Sequence, residues 1–203
     1  MGQPADQHAR LIADWSRLHH GLRPSPLMRR WLRLMWTLAR PLATVRVPPT
    51  AITVVGAGLG VGAPVLAGRL PLVALALVLG AALSDGLDGA VAVVGGRASR
   101  SGAVADAVAD RIADAAFALT LWRCGAPLWL ALLAAGLSLV QELGRVIWSR
   151  LRVVITVAER PTRVICAGLA CACAAVSDAT WPPTVCAAVW VAATAVALGQ
   201  MMS

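Results

Sequence analysis

The chain has no lysine, no tyrosine and a single phenylalanine, and only 10 of its 203 residues are acidic. Charged residues make up 14% and hydrophobic ones 59%, against roughly a quarter and a half in an ordinary soluble domain. So little charge excludes a conventional soluble globule. With lysine absent, all 18 basic residues are arginine; beside the abundance of alanine and glycine, this points to GC-rich coding more than to a function. There is no internal repeat, no GxGxxG or P-loop glycine pattern, and no sign of nucleic-acid binding. Disorder is excluded as well, because the apolar residues come in long blocks instead of being diluted. The first block begins about 50 residues in and has no small-residue cleavage site, so a removable signal peptide is not expected.

What is present is six apolar blocks: Thr50 to Ala67, Leu70 to Val94, Gly102 to Leu121, Pro127 to Ile147, Val164 to Ser177 and Thr180 to Met202. Each approaches the ~20 residues that a helix needs to cross a ~30 Å hydrocarbon core. The expected fold is therefore all-α, a polytopic membrane protein with six transmembrane helices. Eight arginines precede the first block, Arg97 and Arg100 follow the second, and Arg145, Arg150, Arg152, Arg160 and Arg163 lie between the fourth and fifth. Only Arg69 and Arg123 fall in the breaks of opposite parity, so the positive-inside rule places both termini in the cytoplasm. Trp122, Trp129 and Trp181 then fall near the outer ends of their spans.

Residues 25–47 differ from the spans. On a wheel of 100° per residue, Arg29, Arg30, Arg33, Thr37 and Arg40 share one arc while Leu27, Trp31, Leu34, Met35, Trp36 and Leu38 take the rest. That pattern predicts an amphipathic helix in the membrane interface, its arginines among lipid phosphates; a regulatory or partner-binding helix is the alternative. Pro41, Pro48 and Pro49 are expected to break the chain before it enters the bilayer. Residues 1–24, with His8, His19 and His20, read as a flexible cytoplasmic tail, and residues 48–203 as the six-helix domain.

The carboxylates carry the chemistry. Asp85, Asp88, Asp106, Asp110 and Asp114, five of the ten acids, fall within thirty positions of two predicted spans. An ionised Asp at mid-bilayer costs at least ~3 kcal/mol, so the group needs a neutralising partner. Asp85 and Asp88 are three apart and Asp106 and Asp110 four apart, so each pair projects from one helical face. The short break between the two spans makes them antiparallel neighbours whose acids can meet in the inner-leaflet half. Four carboxylates there would balance two divalent cations, and hard oxygen ligands suit Mg²⁺ or Mn²⁺. Paired metals of that kind serve phosphoryl chemistry. The bland alternative is pairing of the acids with Arg97, Arg100 and Arg111 to hold helices together; Arg111 and Asp114, at i and i+3, fit that description.

The pattern Asp85-Gly-Leu-Asp88-Gly89-Ala-Val-Ala92, then Gly102, Asp106 and Asp110, resembles the signature of the CDP-alcohol phosphotransferases. With Asp110-Arg111-Ile112-Ala113-Asp114 and Ala158-Glu-Arg160-Pro-Thr-Arg163, the chain looks most like the actinobacterial phosphatidylinositol phosphate synthases of that family. The resemblance implies transfer of a phosphatidyl group from a CDP-diacylglycerol-like lipid to a soluble alcohol, with CMP leaving. It implies Asp85, Asp88, Asp106 and Asp110 as metal ligands and Asp110 as the base acting on the acceptor hydroxyl. Thr50, Thr53, Gly89, Ala92, Ser99 and Gly102 would face the CDP-lipid, and a homodimer in a bacterial cell membrane is implied too. Arg145, Arg160 and Arg163 would suit a phosphorylated acceptor such as inositol phosphate, with Glu142 either ordering one of them or binding acceptor hydroxyls.

Two departures from the family pattern stand out. Val93 follows Ala92 where the family has arginine, and Thr50 stands where it has asparagine. They motivate an alternative, a relative that binds CDP-lipid or metal without turnover; an ion transporter is more distant still, because transport does not need those glycines. Cys124, Cys166, Cys171, Cys173 and Cys186 have no metal-ligand company and read as small packing residues. Gly56, Gly58, Gly60 and Gly62 form overlapping GxxxG steps that permit close helix packing.

Overall fold

The structure is a computed structural model that describes residues 26–148 and 160–202. Among them every regular element is helical: α1 (Pro26–Thr44), α2 (Pro49–Ala67), α3 (Pro71–Val94), α4 (Arg100–Arg123), α5 (Leu128–Trp148), α6 (Arg160–Val176) and α7 (Trp181–Met202). The six apolar blocks coincide with α2 to α7. The tail 1–24, Arg150, Arg152 and Glu159 lie outside the described residues.

Four helices, α2, α3, α5 and α7, are long and apolar enough to cross a membrane. Of the six apolar blocks, the two whose helices fall short do so through charge in one and both charge and length in the other. α4 carries Asp106, Asp110, Arg111 and Asp114 along its first four turns, and α6 is only 17 residues long and opens with Arg160 and Arg163. Trp122, Trp129 and Trp181 are exposed near helix ends, as an interfacial aromatic requires.

α1 corrects one expectation. Pro41 does not break the helix, which runs through it to Thr44. A proline there costs one backbone bond to the carbonyl of Thr37, and α1 tolerates that on its exposed side. The break comes later, at Arg46, whose φ of 60° turns the chain, and Pro48 then caps α2 with Pro49 in its first turn. The arginine arc of α1 is exposed, whereas Met35 and Ala39 are buried on the side that packs against α3. The contact is close at Gly86, where a Cβ would come within 3.0 Å of both Met35 and Trp31.

The second correction concerns α3 and α4. They touch little directly; α2 lies against both. Glycine makes this possible, because a Cβ on Gly56 would stand 2.8 Å from that of Ser84, and one on Gly60 would meet Ala113 at 3.4 Å. Of the four GxxxG glycines these two face the bundle, whereas a Cβ on Gly58 would meet nothing within 4 Å. The core behind the site is built of small residues around Phe117, Leu121, Val78 and Trp190, whose indole N–H donates to Ser138 at 2.8 Å. All five cysteines are free thiols; Cys124 and Cys171 pack with sulfurs 3.8 Å apart, in keeping with a packing role.

Candidate active site

α2, α3, α4 and α6 line a small, half-open cleft. α2 contributes Thr53, Gly56 and Ala57; α3 contributes Asp85 and Asp88; α4 contributes Asp106 and Asp110; and α6 contributes Arg160. The small residues of α2 are what leave room between the acidic helices. Asp85, Asp106 and Asp110 each present a carboxylate oxygen within 4.8 Å of the others. Helical spacing brings this about, since the three- and four-residue steps put the acids of each helix on the side that faces the other.

These three oxygens fit a hard divalent cation: they are anionic, partly buried, and converge from two helices into one open cleft. Asp88 has another partner. It is 4% exposed and its Oδ2 accepts a 2.5 Å hydrogen bond from the Thr53 hydroxyl, itself 8% exposed, while its carboxylate still lines the cleft. Thr53 thus lines the cleft itself and also supports one of its carboxylates.

Arg160 enters the acidic group directly. Its Nη1 lies 2.7 Å from Asp85 Oδ1 and also contacts Asp110 Oδ1. Asp110 Oδ2 faces Arg111 at 3.6 Å, so both oxygens of the expected base are approached by guanidinium groups. Arg163 takes a different place from Arg160. It is 2% exposed and bound to Asp114, with Gln141 at 3.3 Å and Glu142 at 3.2 Å, behind the cleft and not on its wall. Arg145 stands 4.0 Å from Glu142, also away from the cleft. Glu142 does order arginines, three of them: Arg111, Arg145 and Arg163.

The other expected lipid-site residues line the cleft less directly or not at all. Ser99 is the N-cap of α4 and accepts from the backbone N–H of Gly102 at 3.0 Å. A Cβ on Gly102 would sit 3.0 Å from that hydroxyl, so the glycine serves the cap. Gly89 is exposed, with open space beside it into which a ligand can come against the backbone. Thr50 is exposed on the first turn of α2 and Ala92 is half-buried near the end of α3. Val93 is 52% exposed, and Arg97 donates to the carbonyl of Arg46 at 3.0 Å, tying the α3–α4 loop to the α1–α2 turn. Gln141 was not foreseen. It is a fully buried amide beside Glu142, and the signal for it was there, a pair of polar residues deep in an otherwise apolar block.

Helices long and apolar enough to cross a membrane, with a cleft of convergent carboxylates between them, define a class of helical bundle suited to holding a divalent cation. The chain belongs to the CDP-alcohol phosphatidyltransferase family, whose sequence model matches residues 46–201, and it is accordingly a transferase of phospholipid synthesis. Two similar solved structures are of the phosphatidylinositol phosphate synthase of Mycobacterium tuberculosis (PgsA1). The one with CDP-DAG bound is 26% identical, with a TM-score of 0.65, covering 84% of this chain and 94% of that one. The one in complex with manganese and citrate is also 26% identical, with a TM-score of 0.64, covering 83% and 89%. No match was found among curated protein sequences.

Proposed function

We propose that this protein transfers the phosphatidyl group of a CDP-diacylglycerol-like lipid to a soluble alcohol, inositol phosphate, and releases CMP. The observation that carries this reading is the convergence of Asp85, Asp106 and Asp110 within 4.8 Å, in a cleft that also holds Asp88 and Arg160. The similarity to a phosphatidylinositol phosphate synthase solved with CDP-DAG supports the donor, and the manganese complex of that protein supports a divalent cation.

In this reading Asp85, Asp88, Asp106 and Asp110 hold two Mg²⁺ or Mn²⁺ ions. When bound, the ions polarise the diphosphate and offset the charge that develops on the leaving phosphate. Asp110 accepts the proton of the acceptor hydroxyl, and its two guanidinium neighbours hold the carboxylate in place for it. Arg160 binds the acceptor's phosphate, where its flat, doubly donating head is suited to phosphate oxygens. Thr50, Thr53, Gly89, Ala92, Ser99 and Gly102 form the donor side, with Thr53 acting through Asp88 and Ser99 through the start of α4. Arg145, which pairs with Glu142 outside the cleft, helps to attract the phosphorylated acceptor in this reading. Among the described residues that line the cleft four acids face Arg160, with Arg111 reaching Asp110 from beside it, and bound cations would correct the remaining excess of negative charge.

All six helices α2 to α7 cross the membrane in this reading, with the charged halves of α4 and α6 shielded inside the bundle. α1, within residues 25–47, lies in the interface, residues 48–203 form the catalytic domain, both termini are cytoplasmic, and the enzyme is a homodimer in a bacterial cell membrane. Val93 favours one competing reading, a family member that binds the CDP-lipid without turning it over. A single assay separates the two: purified protein, CDP-diacylglycerol, inositol phosphate and Mg²⁺ or Mn²⁺, with CMP measured. Metal-dependent CMP release that requires the alcohol supports transfer; CDP-lipid binding without CMP under all these conditions rejects it.

A further inference from the structure

Behind the cleft, four charged side chains close a ring of alternating sign. Arg163 contacts Asp114 and stands 3.2 Å from Glu142; Glu142 faces Arg111 at 3.1 Å; and Arg111 returns to Asp114 at 3.9 Å. The ring joins α4, α5 and α6 and is neutral, two guanidinium groups against two carboxylates. It is not arranged for greatest stability. Arg163 Nε, Arg111 Nε and Asp114 Oδ1 are buried without a hydrogen-bond partner among the described residues, and a buried ion cluster contributes less than well-packed apolar groups of the same volume. The best-attested use of such a cluster is to set register.

The spacing shows which register is set. Asp110 and Asp114 are one α4 turn apart, and Arg160 and Arg163 are three residues apart on α6, so each pair lies along one helical face. Arg163 meets Asp114 while Arg160 meets Asp110, two rungs between helices that run in the same direction over this stretch. The deep rung is sealed, with Arg163 2% exposed; the outer rung opens on the cleft. Rotating or sliding α6 to release Arg160 would pull Arg163 off Asp114.

We propose that Arg163 and Asp114 are positioning residues: their buried pair locks α6 against α4 so that Arg160 is delivered to Asp85 and Asp110. The proposal rests on the reading of Asp85, Asp106 and Asp110 as cation ligands. It assigns Arg163 an action through Arg160 and not a contact with substrate. It also makes a signed statement about the cleft. A guanidinium held 2.7 Å from Asp85 Oδ1 competes with a metal ion for the same oxygens; loosening it tightens the metal.

The test is a double-mutant cycle on the full-length protein in detergent, read as Mn²⁺ affinity by electron paramagnetic resonance. Arg163→Gln tightens Mn²⁺ binding by about threefold to tenfold when Arg160 is present, and has no further effect in an Arg160→Gln background. Asp114→Asn, which weakens the same rung from the other side, behaves alike. Arg163→Lys, with the charge kept on a shorter side chain, gives a smaller shift with the same dependence on Arg160, and it replaces Arg163→Gln if that variant does not fold. An equal shift in both backgrounds, or none with Arg160 present, overturns the proposal and leaves the metal reading standing. Failure of the wild type to bind Mn²⁺, or binding that Asp106→Asn does not weaken, overturns the metal reading and this proposal with it.

Discussion

Two charged clusters stand side by side in this protein and share the helices α4 and α6, yet their composition is opposite. In the cleft, Asp85, Asp88, Asp106 and Asp110 face Arg160, leaving a formal excess of three negative charges. In the ring behind it, Arg111 and Arg163 balance Asp114 and Glu142, with Arg145 at the edge of Glu142 and Arg111 reaching across to Asp110 as well. A balanced cluster in a low-dielectric interior is complete in itself; an unbalanced one at an open cleft is held ready for something of the missing charge. In the proposed reading, sign balance separates acids that build the fold from acids that act, although both kinds occur on consecutive turns of α4. The two clusters should respond differently to substitution.

The largest effect is expected at Asp110, on the unbalanced side. Asp110→Asn keeps the shape of the side chain and removes its ability to take a proton, so CMP release should fall by about 10²- to 10⁴-fold while the protein remains folded. Circular dichroism and size-exclusion elution in detergent check the fold. Turnover retained in this variant would take the role of base away from Asp110.

Next comes Arg163, on the balanced side. Removing one member leaves a buried, unpaired charge, and Arg163→Ala should cost about 3–5 kcal/mol of stability. The combination Asp114→Leu with Arg163→Met takes out both charges and fills the space, so it should recover most of that loss. Unfolding in detergent measures both. The same strategy applied to the cleft, neutralising Asp110 and Arg160 together, should leave stability nearly intact and activity absent. If the ring double variant is as unstable as the single one, the contrast between the two clusters fails.

How much of this could be read from the sequence differs between the two clusters. The cleft was legible because its acids recur at three- and four-residue steps, and helix periodicity alone carries such steps onto one face. The six helices α2 to α7 were legible as apolar blocks. What stayed hidden depends on distances between helices that are not neighbours in the chain. The ring needs α5 and α6 brought against α4, and nothing local to Arg163 distinguishes it from Arg160 three residues earlier; one is sealed behind the cleft and the other lines it. The insertion of α2 between α3 and α4 was hidden for the same reason, although Gly56 and Gly60 carried the means for it. Pro41 misled because a proline's cost depends on whether the freed carbonyl is buried, and in α1 it lies on the exposed side.

Thr53 offers a smaller effect that sharpens the contrast from within the cleft. Its hydroxyl orients Asp88 at 2.5 Å, a support of the kind that holds a metal ligand in place. Thr53→Val keeps the volume and removes the donor, and Mn²⁺ affinity should fall by about 10-fold or somewhat more. Thr53→Ser should restore it. Stability should change little, because one hydrogen bond contributes only about 1 kcal/mol net. A loss of stability without a loss of metal affinity would move Thr53 to the balanced, structural side of the comparison.

The smallest effect is a gain, at Val93. This residue is 52% exposed where the family pattern has an arginine, and Arg97 nearby is engaged with the carbonyl of Arg46. Val93→Arg adds a cation at the margin of an acid-rich cleft whose donor substrate is itself a diphosphate. If that phosphate contact is what the chain lacks, CDP-diacylglycerol should bind up to about tenfold more tightly, the worth of one charge-assisted hydrogen bond. The gain should also shrink with added salt, because the new charge is exposed. Affinity unchanged at low and high salt would mean that another arginine already supplies that charge, such as Arg97 or Arg100 of the α3–α4 connection. The excess of acid would then be directed at metal ions alone.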